Sequence, residues 1–272
     1  MREAATAQLR YCAELLNTHY PESLRGELLT AVGSFAETVG YMAYDDFAHE
    51  DARRAYSFAL ACAEEAGDWH LRAQVLCSMA EQTSWCGDPD TALAHTESAL
   101  VRANRLTATE RALLHNSRAR DLARLGEVQD AVSAVGAADE AFSHARPTED
   151  PLWLDSYTES RHLGFSGSVL WELGMHGHYI TETRDRLTTS IATRPEGRGR
   201  TDAQIHHASL IMATGDPREA TALGTQALNW AGPLRSGRIT HYLRNPNRLA
   251  EPHANLLEVA DLRARLRTVI AT

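Results

Sequence analysis

A spaced pattern of small apolar residues recurs along the chain at intervals of about 40 residues, a period typical of repeat proteins. In each copy a small residue is followed by glycine seven positions later, by alanine five positions further on and by a second alanine seven beyond that. Three copies are complete: Ala80, Gly87, Ala92 and Ala99; Ala119, Gly126, Ala131 and Ala138; and Ala208, Gly215, Ala220 and Ala227.

Two further copies are incomplete. The first has Gly40, Ala52 and Ala59, but Phe47 stands where the turn glycine belongs. The fourth has Gly167 and Gly174, but Tyr179 and Arg186 replace the two alanines.

Each copy predicts a helical hairpin. The small residue lets two helices approach closely, and the glycine ends the first helix in a left-handed conformation that other residues resist. The two alanines fall on one face of the second helix, where its partner crosses. The dipeptides Asp88-Pro89 and Asp216-Pro217 follow turn glycines directly and supply an N-cap and a first helical residue.

The repeats predict an all-α fold without strands, arranged as a right-handed superhelix (an α-solenoid) of helix hairpins. The expected pairs are 23–45 with 49–66, 69–85 with 89–104, 108–125 with 128–144, 151–173 with 176–190, and 200–214 with 217–232. A leading helix is expected at 2–17 and a capping helix pair at 236–269. We expect a single domain over residues 1–272, with the leading helix in 1–22, the repeats in 23–232 and the cap in 233–272.

The copies between residues 23 and 232 resemble tetratricopeptide repeats. Segments 40–45 (GYMAYD), 64–68 (EEAGD), 150–154 (DPLWL) and 261–263 (DLR) together resemble the C-terminal half of actinobacterial helix-turn-helix regulators of the Xre type. In that family a DNA-binding domain precedes a tetratricopeptide-like sensor half, so the resemblance implies a ligand- or peptide-responsive module. Residues 1–22 predict one helix and no DNA-binding domain, so we expect either a sensor fragment or a stand-alone relative.

Charge and composition argue against several functional classes. The 272 residues are 43% hydrophobic, the net charge is −9, and all 27 basic residues are arginine. Binding phosphates requires clustered cations, so we expect no direct nucleic-acid binding by this chain. No apolar stretch approaches the roughly 20 residues of a membrane span, and the start shows no signal-peptide pattern, so we expect a cytoplasmic protein without a membrane partner.

The cysteines and histidines do not predict a metal site. Cys12, Cys62, Cys77 and Cys86 contain no pair at zinc or redox spacing, so we expect reduced thiols. The 13 histidines include the neighbours His206 and His207, which point apart on a helix and do not readily share one ion. We therefore expect no metal and no cofactor.

The first helix of each pair is expected to line a concave groove, and helical spacing selects the side chains that face it. The candidate ligand-binding residues are Glu37, Tyr41, Tyr44, Asp45, Cys77, Glu81, Trp85, Asn116, Arg120, Arg124, Ser168, Trp171, Glu172 and Met212, with Arg161 at the rim.

Aromatic walls with a few polar groups suit a small molecule or a short peptide. The pair Arg120 and Arg124 would hold a carboxylate or phosphate, so the expected ligand is anionic. The alternative is that the aromatics pack between repeats and the charges pair across neighbouring helices.

Three functions remain open. The first is a sensor or regulatory domain that binds its ligand in the groove, and the second is a stand-alone scaffold that docks another protein. The third is a groove-based enzyme acting on a small metabolite. No catalytic motif is present. Glu81 and Glu172 could serve as acid and base across the groove, but nothing in the sequence places them facing each other, so the enzymatic assignment stays uncertain. The resemblance to helix-turn-helix regulators, many of which pair to match symmetric DNA sites, also implies a homodimer.

Overall fold

The computed structural model describes residues 2–234 and 236–271, and all regular elements within these ranges are helical. The all-α prediction is therefore confirmed for the described residues. The chain divides into two compact units, Met1–Asp155 (unit 1) and Ser156–Thr272 (unit 2).

Unit 1 contains a leading helix followed by three helical hairpins. The helices are α1 (Arg2–Leu15), α2 (Arg25–Asp45), α3 (His49–Ala66), α4 (Trp69–Trp85), α5 (Pro89–Leu100), α6 (Ala108–Leu125) and α7 (Val128–Ser143). Short 3-10 helices occupy Glu22–Leu24, Ala103–Arg105, Pro147–Glu149 and Leu152–Leu154. Helices α2 and α3, α4 and α5, and α6 and α7 pack as consecutive pairs, and α4 also contacts α2 and α6.

Turn chemistry explains where the first helices of the hairpins end. Gly87 and Gly126 adopt left-handed backbone conformations, with φ of +90° and +82°, as the repeat pattern predicts. In the first hairpin Phe47 stands in the glycine position and takes the same conformation, with φ of +57°. Asp68 and Asp88 cap the following helices, because their carboxylates accept hydrogen bonds from backbone N–H groups of the first turn.

The small residues of the pattern mark close helix contacts. Ala80, Ala92, Ala119 and Ala131 are completely buried. A Cβ atom built on Gly40 would lie 2.6 Å from the ring of Tyr56, which is itself fully buried. The first hairpin therefore packs a tyrosine ring directly against a glycine backbone.

Unit 2 contains the remaining helices. They are α8 (Glu159–Gly174), α9 (Ile180–Thr193), α10 (Arg198–Thr214), α11 (Pro217–Leu234), α12 (Gly237–Tyr242), α13 (Arg244–Leu249) and α14 (Leu257–Ile270), with a 3-10 helix at Glu251–His253. Helix α10 contacts α8, α9, α11, α12 and α13 and is buried along most of its length.

The fourth hairpin differs from its prediction. Its first helix begins at Glu159 and not at residue 151, because Pro151 is extended and a 3-10 turn follows it. Its second helix runs over Ile180–Thr193 and not 176–190. Gly174 is the last residue of α8 and is not left-handed; the left-handed residues of this turn are Gly177 and Tyr179.

Two further expectations in unit 2 are wrong. Gly215 has φ of −129°, outside the left-handed region, and a Cβ there would meet the Ile211 carbonyl oxygen at 3.3 Å, so close approach explains this glycine. The tail contains α12, α13 and α14 where a helix pair was expected. Pro246 lacks the N–H that would continue α12, which accounts for the break after Tyr242.

None of the described helices is both long enough and apolar enough to cross a membrane.

Candidate functional site

Polar side chains join α4 to α6 at the spacing of the repeat. The Nδ1 atom of His70 lies 2.9 Å from a carboxylate oxygen of Glu110, and the Cys77 sulfur lies 3.5 Å from the Ser117 hydroxyl. Arg124 donates a 2.7 Å hydrogen bond to the hydroxyl of Ser84. Each pair is separated by 40 positions in the chain. Equivalent positions of successive hairpins therefore face each other, and we call this row of contacts the inner face of unit 1.

Glu37 extends the inner face to α2. Its side chain is buried, and its two oxygens accept hydrogen bonds from the Ser78 hydroxyl at 2.6 Å and from the Gln74 amide at 3.0 Å. Burial raises the pKa of Glu37, the two hydrogen bonds oppose that rise, and the nearby charge of Glu81 adds to it. Glu37 therefore joins α2 to α4 from an interior position.

Arg120 is held by its sequence neighbour. Its Nε and Nη2 atoms donate hydrogen bonds of 2.8 and 3.0 Å to the two carboxylate oxygens of Asp121, which is completely buried. Burial alone would lower the pKa of Arg120, but the charge and hydrogen bonds of Asp121 outweigh it and the pKa is raised. The guanidinium is only 12% exposed, so this predicted anion-binding group already has a carboxylate partner.

Arg124 is the accessible arginine of the predicted pair. It is exposed, and its Nη1 atom donates to both the carbonyl and the hydroxyl oxygen of Ser84, at 3.0 and 2.7 Å. Trp85 follows Ser84 directly in α4.

An aromatic cluster forms where α2 ends, and it consists of Tyr41, Tyr44, Phe47, His49 and Trp85. The ring of Tyr44 is 1% exposed and meets Trp85 edge-on, with 6.3 Å between ring centroids. Phe47 lies 6.2 Å from Trp85 and 6.0 Å from His49, and Tyr41 lies 6.1 Å from Tyr44. Tyr41 and Phe47 are 38% and 43% exposed, so the cluster presents an apolar surface around a buried ring.

Phe47 and His49 were missed by the sequence reasoning. Phe47 itself was a sequence signal for this cluster, because it stands where the other copies have a turn glycine. A large apolar side chain in that position either is exposed to solvent or packs against another ring.

The other predicted residues of unit 1 lie on the same helices. Asn116 is completely buried, whereas Asp45, Cys77 and Glu81 are half-buried. The structure thus brings the unit 1 candidates together on α2, α4 and α6, with different degrees of access.

The predicted residues of unit 2 are largely interior. Trp171 is 6% exposed and meets the ring of His206 edge-on, with 4.9 Å between centroids. Met212 belongs to the apolar core of α10, α11 and α14. The Ser168 hydroxyl donates to the carbonyl of Gly164 in its own helix, at 2.9 Å. Trp171 and Met212 therefore contribute to packing within unit 2.

Two charged candidates of unit 2 are more accessible. Arg161 donates a 2.5 Å hydrogen bond to the Ser156 hydroxyl, and its guanidinium lies 5.6 Å from the ring centre of Tyr157. Glu172 is half-buried on α8.

The histidine pair of α10 has separate environments. The Nδ1 atom of His206 lies 2.9 Å from the carbonyl oxygen of Asp202, and its ring is flanked by Trp171 and Tyr242. Burial lowers the pKa of His207, and the charge of Arg184 adds to this effect. Over residues 2–234 and 236–271, no three side chains of His, Cys, Asp or Glu are grouped to hold a metal ion.

Comparison with known proteins returned no matching family model, no matching curated protein and no matching solved structure.

Proposed function

We propose that the inner face of unit 1 binds a small molecule or a short peptide and that the chain acts as a sensor or regulatory module. The proposal is carried by the partly exposed aromatic cluster at the end of α2, together with the exposed Arg124, which donates to Ser84, the residue before Trp85 in the chain. Ligand sites in proteins are commonly lined by apolar and aromatic side chains with a few polar or charged groups. The apolar contacts supply affinity, and the polar groups fix the orientation of the ligand.

The proposed fold is a tetratricopeptide-like superhelix. The support is the repeated separation of 40 positions between contacting residues of α4 and α6, since one constant offset means that one geometric step relates the two hairpins. In such an arrangement the first helix of each hairpin lines a common surface, and in unit 1 these helices are α2, α4 and α6.

The proposed ligand combines a flat or apolar body with an anionic group. The rings of Tyr41, Phe47 and Trp85 offer the body an apolar surface. Arg124 carries a permanent charge and offers the anion directional N–H donors. Arg124 is exposed whereas the Arg120 side chain is only 12% exposed, so the proposed anion contact rests on Arg124.

The test is a thermal-shift screen of the full chain against carboxylate- and phosphate-bearing metabolites and against short peptides with a free C-terminus. We expect active compounds to raise the melting temperature of the wild type but not of Arg124→Gln or Trp85→Leu. The matched control is Arg118→Gln on the same helix, whose side chain pairs with Glu97 on α5 and not with α4.

The comparison of variants decides the location of the site. Shifts that are equal in wild type, Arg124→Gln and Trp85→Leu would place the ligand elsewhere and refute the inner face as the binding site. Shifts lost in Arg118→Gln as well would indicate a general effect of removing positive charge, which would also refute the proposal.

A further inference from the structure

A cleft lies between α1 and the first hairpin, which is formed by α2 and α3. Its volume is about 560 Å³. Small-molecule pockets commonly measure roughly 300–1,000 Å³, so this cleft has room for a ligand. It is lined by Arg2, Glu3, Thr6, Ala7, Leu9, Arg10, Ala13, Val39, Ala43, Asp51, Arg54, Ala55 and Phe58, none of which belongs to the inner face.

The space arises from small side chains. The lining includes four alanines: Ala7 and Ala13 on α1, Ala43 on α2 and Ala55 on α3. Protein interiors are normally close-packed, and larger residues at these positions would fill the gap. Leu9 is the only buried residue of α1, and Ala5 and Cys12 pack against the same core as partly buried side chains.

The floor of the cleft is apolar. Val39 and Ala43 are buried members of the core below it, and Phe58 is a half-buried ring packed against the same core. A hydrocarbon chain placed on this floor would lose its contact with water, which is favourable in proportion to the apolar area removed.

The rim is rich in guanidinium groups. Arg2 and Arg54 are already paired with carboxylates. Arg2 lies 3.5 Å from Asp51 and 3.3 Å from Asp46. Arg54 lies 2.5 Å from Asp51 and 3.4 Å from Glu50. The Arg2 Nη1 atom is buried and makes no hydrogen bond within the described part of the chain. Arg10 is exposed on α1 and forms no ion pair with a described residue. Arg10 therefore keeps N–H donors available to a ligand in the cleft that it lines.

We propose that this cleft binds a monomeric amphiphile that has a single hydrocarbon chain and an anionic head group. The chain lies on Val39, Ala43 and Phe58, and the head group accepts hydrogen bonds from the exposed guanidinium of Arg10 at the rim. A guanidinium matches the geometry of a carboxylate or phosphate oxygen pair, whereas a cationic or neutral head group leaves its donors unmatched.

The test uses isothermal titration calorimetry of the full chain with decanoate and, as the opposite-charge probe, decyltrimethylammonium. We expect decanoate to bind and decyltrimethylammonium to bind at least tenfold more weakly, since a hydrogen bond to a charged group is worth about a factor of ten in affinity. No binding of decanoate, or equal binding of the two probes, would overturn the proposal.

Two substitutions on α1 locate the site. Ala7→Trp places a large ring in the cleft, whereas Ala4→Trp places the same ring on an exposed position of the same helix that does not line it. We expect decanoate binding to be lost in Ala7→Trp and retained in Ala4→Trp. Circular dichroism melting checks that both variants fold, and equal binding by the two variants would refute the cleft as the site.

Two further variants separate this site from the inner face. Arg10→Gln is expected to weaken decanoate binding about tenfold, because it removes a charge-assisted hydrogen bond. Arg124→Gln is expected to leave decanoate binding unchanged. Loss of binding in Arg124→Gln with no change in Arg10→Gln would assign decanoate to the inner face and refute the second site.

Discussion

Ser84 and Arg124 lie 40 positions apart in the chain, and the Nη1 atom of Arg124 donates to both the carbonyl and the hydroxyl oxygen of Ser84. The same separation relates His70 to Glu110 and Cys77 to Ser117. Along each helix these residues are seven apart, which is two helical turns, so they form one stripe on α4 that meets one stripe on α6. The period of the sequence thus reappears as a set of side-chain contacts.

The Ser84–Arg124 contact is expected to contribute to stability in a measurable way. A double-mutant cycle with Ser84→Ala and Arg124→Gln should give a coupling energy of roughly 0.5–1 kcal/mol, because the bond is charge-assisted but partly exposed to solvent. Urea unfolding of the four proteins measures it. The pair Ser84→Ala with Arg118→Gln serves as the control and should be additive within about 0.3–0.5 kcal/mol. Additivity in the first cycle as well would show that the contact is energetically neutral.

Two glycines of unit 1 should respond oppositely to alanine. A Cβ on Gly40 would lie 2.6 Å from the Tyr56 ring, which is buried and cannot move aside, so Gly40→Ala should destabilise the protein by about 1–3 kcal/mol. A Cβ on Gly136, an exposed position of α7, would meet no atom within 4 Å. Gly136→Ala should therefore stabilise it by up to about 1 kcal/mol through helix propensity.

Urea unfolding of both variants provides the measurement. A Gly40→Ala protein as stable as the wild type would mean that α2 and α3 do not pack at the described distance.

The sequence predicted helix ends correctly where the capping residue and the turn glycine lie next to the helix in the chain. The predicted helix 69–85 coincides with α4, because Asp68 caps its start and a glycine turn ends it. The first residue of α8 could not be predicted from neighbouring residues in this way. Pro151 is compatible with a first helical position, and only the structure shows that the chain there is extended and begins its helix at Glu159.

The candidate site was less predictable, for two physical reasons. Helical spacing gives the direction of a side chain relative to its own helix but not the depth at which neighbours cover it, so Trp171 was expected in a groove and is buried against His206. Residues adjacent in a helix normally point apart, so the pairing of Arg120 with Asp121 had no signal in the spacing. The Arg120 side chain is long enough to contact the buried carboxylate of the next residue, Asp121.

Tyr179 offers a test of backbone strain in the fourth turn. It precedes α9 with φ of +55°, in the left-handed region that costs a residue with a side chain roughly 1–2 kcal/mol. Tyr179→Gly should therefore raise the free energy of unfolding by up to about 1 kcal/mol, after the larger entropy of glycine in the unfolded chain is subtracted. Tyr179→Ala is the control, because it removes the ring but keeps the strain. A less stable glycine variant would show that the ring contributes more than the strain costs.

Glu37 should make stability depend on pH in the direction opposite to that of an ordinary ion-paired carboxylate. Burial raises its pKa in the folded protein above the usual value of 4.5. Between 4.5 and the raised pKa the folded state holds a proton that the unfolded state has released, so stability falls as pH rises through this window. The stabilising contribution is fully present below 4.5 and is lost once Glu37 ionises in the folded protein.

The measurement is urea unfolding of wild type and Glu37→Gln across the acidic and neutral range. Glutamine keeps an oxygen that can accept the hydrogen bond from Ser78 but has no charge to bury, so the variant should lack this pH dependence. We expect the stability difference between Glu37→Gln and wild type to shift in favour of the variant as pH rises above 4.5, and then to level off. A constant difference would mean that Glu37 titrates normally, and therefore that the link between α2 and α4 is open to water.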